Sequence, residues 1–444
     1  MIMLLVVRKI ALLLIVLAHL SCAFVLFRSK SRVKKSTTLY IHASSLESSV
    51  GGDGTIQCQM KRDDCDEWLD QVLIERSSNA PSIFSVASSV VESYLSSNAN
   101  DSRPLLRRVP YREDDSVDST IPKYEKVEQF EALFGTCNNK NNDDGLISPT
   151  KKIARFSKKN RKRTNLKMCV AYRGLGFCGW EDQRHELYRN NSSSSSSSSS
   201  STDNTDNTDQ PLPSVQGTLA DILTPAIGDS ANTKPIEIKV AGRTDRGVSA
   251  IGQVCRLRTW NEIPDIEAYV QELVNREATD CDLGLRITNV EQVGPDFHPS
   301  FGASSRSYAY LIDLEDNESQ GISRNLVPRL ERMLRELEGK ELDYFALSHG
   351  KVKTVTTLCT LHHSRASTVE YIGGGDHKRQ ALCFELVGNR FLRRMVRLLV
   401  GTALREAHRG GDDDALLHIL LSKDRRERSR AAPPDGLIFV RANM

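Results

Sequence analysis

Ten cysteines are scattered through 444 residues with no C-x-x-C pair and no Cys/His spacing of the metal-binding kind, so neither a disulfide scaffold nor a zinc module has a basis here. Reduced, mostly buried thiols are the better reading. Apolar residues are also scarce. They make up 39% of the chain, below the roughly 45 to 50% of an ordinary globular protein, which points to a folded part diluted by polar segments. Acids are missing from two stretches, 1–46 and 151–167, although the whole chain balances at +3. Region by region the charge is uneven: a basic leader, an acidic middle from 47 to 150, and a basic remainder.

The leader has the order of a signal peptide. Arg8 and Lys9 precede the apolar run Ile10 to Leu20, and Ser21-Cys22-Ala23 supplies the small residues of a cleavage site. The run is too short for the roughly 20 residues that a spanning helix needs, which weighs against the competing reading of a membrane anchor. Residues 24–46 then begin with Phe24 and are basic, hydroxylated and acid-free, the composition of a transit peptide. A signal peptide (1–23) followed by such a segment resembles the bipartite leaders that deliver proteins to plastids enclosed by the endomembrane system. The mitochondrion and the endomembrane system itself are the alternatives.

Residues 47–165 are rich in Ser, Asn and Asp with scattered apolar clusters, which favours disorder over most of their length. One helix is expected around Ala87 to Leu95. The segment ends in nine Lys/Arg between Lys151 and Lys167 without an acid, either a linker or an arm that neutralises nucleic-acid phosphates. Residues 1–150, together with the low-complexity serine run inside 186–210, are on this reading dispensable for folding.

From residue 166 onward the pattern changes. Strand-like alternation occupies 166–172, 235–240, 252–258, 284–293, 304–312, 353–370, 380–387 and 436–441. Helical periodicity follows Ser214, follows Asp265, runs from Pro328 to Gly339 and covers Phe391 to Ala407. Interspersed strands and helices predict an α/β (α+β) protein with sizeable sheets.

The chemistry-bearing candidate is the loop Ala241-Gly242-Arg243-Thr244-Asp245-Arg246-Gly247-Val248-Ser249-Ala250 between two strands. Its glycines permit tight turns that present Asp245 outward. Taken alone, such an Asp more often satisfies backbone donors in a turn. The decapeptide, however, resembles the signature loop of the tRNA pseudouridine synthase A (TruA) family, usually Gly-Arg-Thr-Asp-Ala-Gly-Val-His-Ala. Five further segments match the family in order. Val170 to Gly174 with Phe177, Gly179 and Trp180 resembles the opening strand and turn, and Ser214 to Gly217 the first helix. Phe297-His298-Pro299 with Arg306, Tyr308 and Tyr310 is similar to the central strand. Asn389 to Arg397 with Gly401-Thr402 matches the late helix, and Ala432-Pro433-Pro434 with Gly436-Leu437 the last strand.

This resemblance implies a two-lobed pseudouridine synthase fold, one lobe at 166–293 and a second at 294–444, with antiparallel sheets meeting at a basic central cleft and helices on the outer faces; the strand count is compatible with it. It implies isomerisation of uridine to pseudouridine in tRNA, at positions 38 to 40 of the anticodon arm, by a homodimer using no cofactor and no metal. Asp245 matches the family's nucleophile. Arg397 matches the cation that keeps a carboxylate charged in a closed cleft, and Tyr308 the ring that stacks on the uracil and is suspected of proton transfer. Arg243 would fill the space left by the flipped nucleotide, Leu437 would pack the base's other face, and Arg306 and Arg394 join the substrate-binding set. Departures from the family are Arg173, Glu181, Arg246 and Ser249. The rival readings are a catalytically inactive RNA-binding protein or tRNA chaperone on the same fold, and a secretory or membrane-anchored interaction protein.

Overall fold

The computed structural model describes residues 46–50, 56–74, 85–97, 104–109, 130, 133–134, 163–182, 212–228, 235–314, 322, 324–352, 354–372 and 378–444. The leader expected at 1–23 and most of the transit-like segment at 24–46 lie outside these residues, as do the serine run and the basic run up to 162.

Strands β1 (Leu46–Val50) and β2 (Ile56–Met60) pair as an antiparallel hairpin. Among the described residues, all remaining strands belong to one ten-stranded sheet. Its members are β3 (Leu106–Arg108), β4 (Thr164–Tyr172), β5 (Ile238–Val240), β6 (Ser249–Thr259), β7 (Leu285–Gln292), β8 (Ser305–Asp313), β9 (Glu341–Asp343), β10 (Leu358–Ile372), β11 (Lys378–Gly388) and β12 (Leu437–Asn443). The order is β3-β10-β11-β8-β12-β6-β4-β7, with β5 beside β6 and β9 beside β10. Every pairing is antiparallel except one. At the seam between the lobes the last strand lies parallel to β6, Ile438 opposite Ser249 and Phe439 opposite Ala250, so the two expected sheets are continuous through β12.

The helices among the described residues are α1 (Arg62–Ile74), α2 (Val86–Ser96), α3 (Val215–Ile227), α4 (Ile266–Asp280), α5 (Val327–Arg335), α6 (Met395–Arg409) and α7 (Ala415–Ser422). Ser214 caps α3 as expected, its side chain accepting from the Gly217 amide at 3.0 Å. Period-two alternation divides the central strands between two cores. Tyr308, Tyr310, Ile312, Leu437 and Phe439 face α3 to α6, while Ala309, Leu311, Ile438 and Val440 face the opposite way, against α2. Because both faces are covered, these strands read as nearly continuous apolar runs.

Some described parts of the middle of the chain form regular elements where mostly disorder was expected, while most of 47–165 lies outside the described residues. The helix foreseen at 87–95 exists, and Val86, Val90, Val91 and Tyr94 of α2, with Leu106, Phe130 and Phe134, close the second face of the sheet. Helix α1 was not foreseen. It buries Cys65, Trp68 and Leu69 against α6, the Trp68 ring lying 3.6 Å from His408 and nearly parallel to it. Its polar surface conceals the docking, because much of the contact is ionic: Asp66 meets the fully buried Arg405 at 3.1 Å, and Asp70 meets Arg430. Low hydrophobicity signals disorder only when the charges lack partners. Here they have them.

Candidate active site

Two strands share one edge of β6: β12 beside residues 249–250 and β5 beside 255–257. The loop from β5 to β6, residues 241–248, occupies the gap between them. Its shape is imposed by the opening motif. The Trp180 amide donates to the Thr244 carbonyl at 3.1 Å, and the Thr244 hydroxyl hydrogen-bonds the buried Tyr172 phenol at 2.8 Å. With Thr244 turned inward, Asp245 points out. Gly174 packs so closely that a Cβ there would lie 2.4 Å from the Gly247 carbonyl oxygen, which explains the glycine. Ser249, where the family commonly has His, is fully buried and accepts from the Gly174 amide at 2.9 Å. That departure serves the loop's anchoring rather than its chemistry.

Opposite the loop, the late motif does not begin as a helix. Arg394 adopts a left-handed backbone, φ 60°, so Asn389 to Arg394 form a turn and α6 starts at Met395. This turn and the first coil of the helix bring two guanidinium groups to Asp245. Arg397 Nη1 lies 3.2 Å from Asp245 Oδ2, and Arg394 Nε lies 3.7 Å from the same oxygen. The side chains differ in exposure: 11% for Arg397, 35% for Arg394 and 33% for Asp245. Arg397 is also fixed from behind, its Nε donating to the Ala432 carbonyl at 2.6 Å. Burial pulls its guanidinium below the ordinary value and Asp245 pulls it back up, but an arginine stays charged throughout. Arg397 is thus the desolvated partner, Arg394 the wetter one. Arg397→Met is expected to lower turnover by roughly a hundredfold, the scale of truncating a buried charge partner. Arg394→Met should cost several-fold less. Equal losses in single-turnover assays would remove this distinction.

Tyr308 lies beside the loop, its hydroxyl 3.7 Å from where a Gly242 Cβ would sit. Phe391 and Phe439 hold its ring edge-on at 4.8 and 5.1 Å, an arrangement favoured by the ring quadrupoles. Burial pushes the phenol well above its ordinary value, and nearby Asp245 adds to the shift while Arg306 opposes it. Leu437 begins β12 directly opposite Tyr310 and is largely buried.

The remaining candidates fall into two kinds. Arg243 is exposed and paired with Glu181 at 2.8 Å; an exposed pair of this kind contributes at most about 1 kcal/mol, so Arg243 can swing away. Glu181 was seen only as a departure from the family, and this contact gives it a use. Arg306, placed by the resemblance among substrate contacts, is otherwise engaged. Its guanidinium donates to the carbonyls of Ala241, Ser300, Ala303 and Asn389 at 2.6 to 3.3 Å. It ties the start of the signature loop to the turn before α6, and so sets Asp245 against Arg397. That role was illegible because all four partners are backbone atoms.

Known proteins resemble the chain. A family profile described as tRNA pseudouridine synthase matches residues 333–443. The tRNA pseudouridine synthase A of Chloroflexus aurantiacus is 31% identical over 211 residues, 46% of this chain and 72% of the relative. The chain belongs to the tRNA pseudouridine synthase A family. The enzyme of the same name from Leptospira biflexa is 27% identical over 287 residues, 63% of this chain and 93% of the relative, and that from Hydrogenovibrio crunogenus is 27% identical over 289 residues, 63% and 92%. Such relatives are matched almost from end to end, while over a third of this synthase lies beyond each alignment.

Proposed function

We propose that this synthase isomerises uridine to pseudouridine in tRNA, at positions 38 to 40 of the anticodon arm, with Asp245 as nucleophile. Family membership makes the chain an isomerase acting on tRNA; the positions rest on the resemblance. The observation that supports the site is the partly exposed Asp245 carboxylate held 3.2 Å from the buried Arg397, next to the Tyr308 ring. In the reaction the N1–C1′ bond breaks and a C5–C1′ bond forms; the hydrogen on C5 leaves and N1 gains a proton. Asp245 adds to the substrate at C1′ or C6 and departs at the end, which requires a charged carboxylate with an unblocked oxygen. Tyr308 stacks on the uracil, Leu437 packs the opposite side, and Arg243 releases Glu181 to fill the vacated stack.

Because Tyr308 is held as a phenol, it can accept the C5 proton only while passing its own on. Tyr308→Phe keeps the ring and removes this relay. It is expected to lower turnover about a hundredfold or more with tRNA affinity unchanged, and the parent should show no alkaline limb from this phenol at or below pH 10, since its value is raised. Parent-like turnover in Tyr308→Phe would confine the residue to stacking. The homodimer implied by the resemblance is part of this reading and is measured by sedimentation. So is plastid delivery through residues 1–46, measured by the fate of that leader in cells. The activity itself is tested by tritium release from unmodified tRNA labelled at uridine C5, with transcripts replaced at positions 38 to 40 one uridine at a time and all three together. Release that survives loss of all three uridines would move the target elsewhere, and no release from any tRNA would end the enzymatic reading.

A further inference from the structure

Beside Asp245, on the side of Arg394, two loops from distant parts of the chain are stitched into one basic edge. The turn after β9 carries Phe345, whose ring is exposed. The segment after α7 carries Arg425, whose guanidinium lies over that ring, 4.3 Å from its centre. Arg425 Nη2 also donates to the Ser348 hydroxyl at 2.7 Å, and Arg428 Nη1 to the Ser348 carbonyl at 2.8 Å. The His349 amide donates to the Arg393 carbonyl at 3.2 Å, which continues the edge to the turn before α6. His349 feels Arg394, Arg393 and Arg428 on one side and Asp245 on the other, so edge and cleft adjoin.

Two features set this edge apart from an ordinary solvated charge cluster. The first is the unpaired charge. Lys423, Arg426 and Arg430 nearby all meet carboxylates, whereas among the described residues Arg393, Arg425 and Arg428 meet none; the hydrogen bonds of Arg425 and Arg428 go to neutral oxygens. The second is the flat, pre-assembled guanidinium–aromatic stack with an exposed ring. Unpaired guanidinium groups bind phosphate, and a flat stacked pair takes a nucleobase whatever its sequence.

We propose that Phe345, His349, Arg393, Arg425 and Arg428 form a second nucleotide site, which stacks one unpaired base and holds the phosphates of the tRNA strand leaving the Asp245 cleft. The proposal rests on the reading of tRNA as substrate. The site would grip the strand next to the target uridine once that nucleotide has been flipped, resisting its return to the stem. It acts through binding, and its residues position the substrate.

The experiment measures tRNA affinity over a range of salt concentrations and KM under turnover conditions, for the parent, Phe345→Ser, Phe345→Trp, Arg425→Gln and Arg393→Gln/Arg428→Gln. Each variant is checked for the parent's melting temperature. Phe345→Ser and Arg425→Gln are expected to weaken tRNA binding about tenfold with a matching rise in KM, while Phe345→Trp binds as the parent does. The double variant should flatten the dependence of log affinity on log salt by between one and two. Parent-like affinity and KM in Phe345→Ser and Arg425→Gln, or an unchanged salt slope in the double variant, overturn the proposal. Arg393 is exposed and Arg425 and Arg428 are half-buried, so Arg425→Gln and the double variant, where they keep the parent's melting temperature, hold the test decisive if Phe345→Ser melts early. An inactive parent would count against the enzymatic reading instead, since binding of tRNA by the parent and its loss in the variants are read without turnover.

Discussion

Asp245→Asn is expected to lower turnover by at least about a thousandfold while leaving tRNA affinity within a few-fold of the parent. The amide has the shape of the carboxylate, and its oxygen can still accept from Arg397 Nη1 at the observed 3.2 Å, so neither the loop nor the turn before α6 need move. What disappears is the negative charge and with it the proposed nucleophile. Affinity should survive because a lone carboxylate in a basic cleft contributes nothing favourable to phosphate binding. The decisive measurement pairs single-turnover tritium release with filter binding on one protein sample, screened by mass spectrometry for deamidation. Residual turnover above about a hundredth of the parent rate would sink the nucleophile assignment, whatever the affinity.

The strands of the two lobes were legible because alternation is a local property. Observed β4, β8, β10 and β11 fall within a few residues of the stretches read from the sequence, and the Ser214 cap announced α3. Strands β3 and β9 are three residues long, too short for any periodicity to register. The parallel contact of β12 with β6 joins residues nearly 190 positions apart, and no local pattern specifies it. The site divides in the same way. Asp245, Arg397 and Tyr308 were pointed to by a resemblance between motifs, whereas Thr244 turning inward to Tyr172 and Arg306 bridging four carbonyls depend on contacts that only the folded chain creates. Helix α1 shows the limit most sharply. Its few buried apolar residues look insufficient on the sequence, yet Asp66, Asp70 and Arg62 meet Arg405, Arg430 and Glu406 more than 300 residues away.

That docking argues against the expectation that residues 1–150 can be removed. A chain beginning at Lys151 loses α1, α2 and β3 together. It uncovers Leu311, Val369, Cys383 and Ile438 on the second face of the sheet, and the α2 and β3 side chains that covered them each contributed on the order of 1.5 to 3 kcal/mol. It also strips the fully buried Glu385 of Arg108, which lies 2.9 Å away, and leaves His363 and Ser367 as its side-chain partners among the described residues. Removing one partner of a buried ion pair costs about 3 to 5 kcal/mol. Arg405 loses Asp66 in the same step, and the His408 ring loses Trp68. Against a total stability of roughly 5 to 15 kcal/mol for a domain, these losses together leave no margin. The chain starting at Lys151 is therefore expected to be insoluble or to lack a cooperative melting transition, whereas one starting at Lys61, which keeps α1, α2 and β3, should fold and turn over. Circular dichroism melting and tRNA turnover of the two chains provide the comparison. A cooperative, active chain from Lys151 would mean that the second face of the sheet tolerates exposure and that the middle segment is an accessory, as the sequence first suggested. If instead only the Lys61 chain folds, a segment that looks like a linker is an integral wall of the synthase, bracing the back of the helix that carries Arg397.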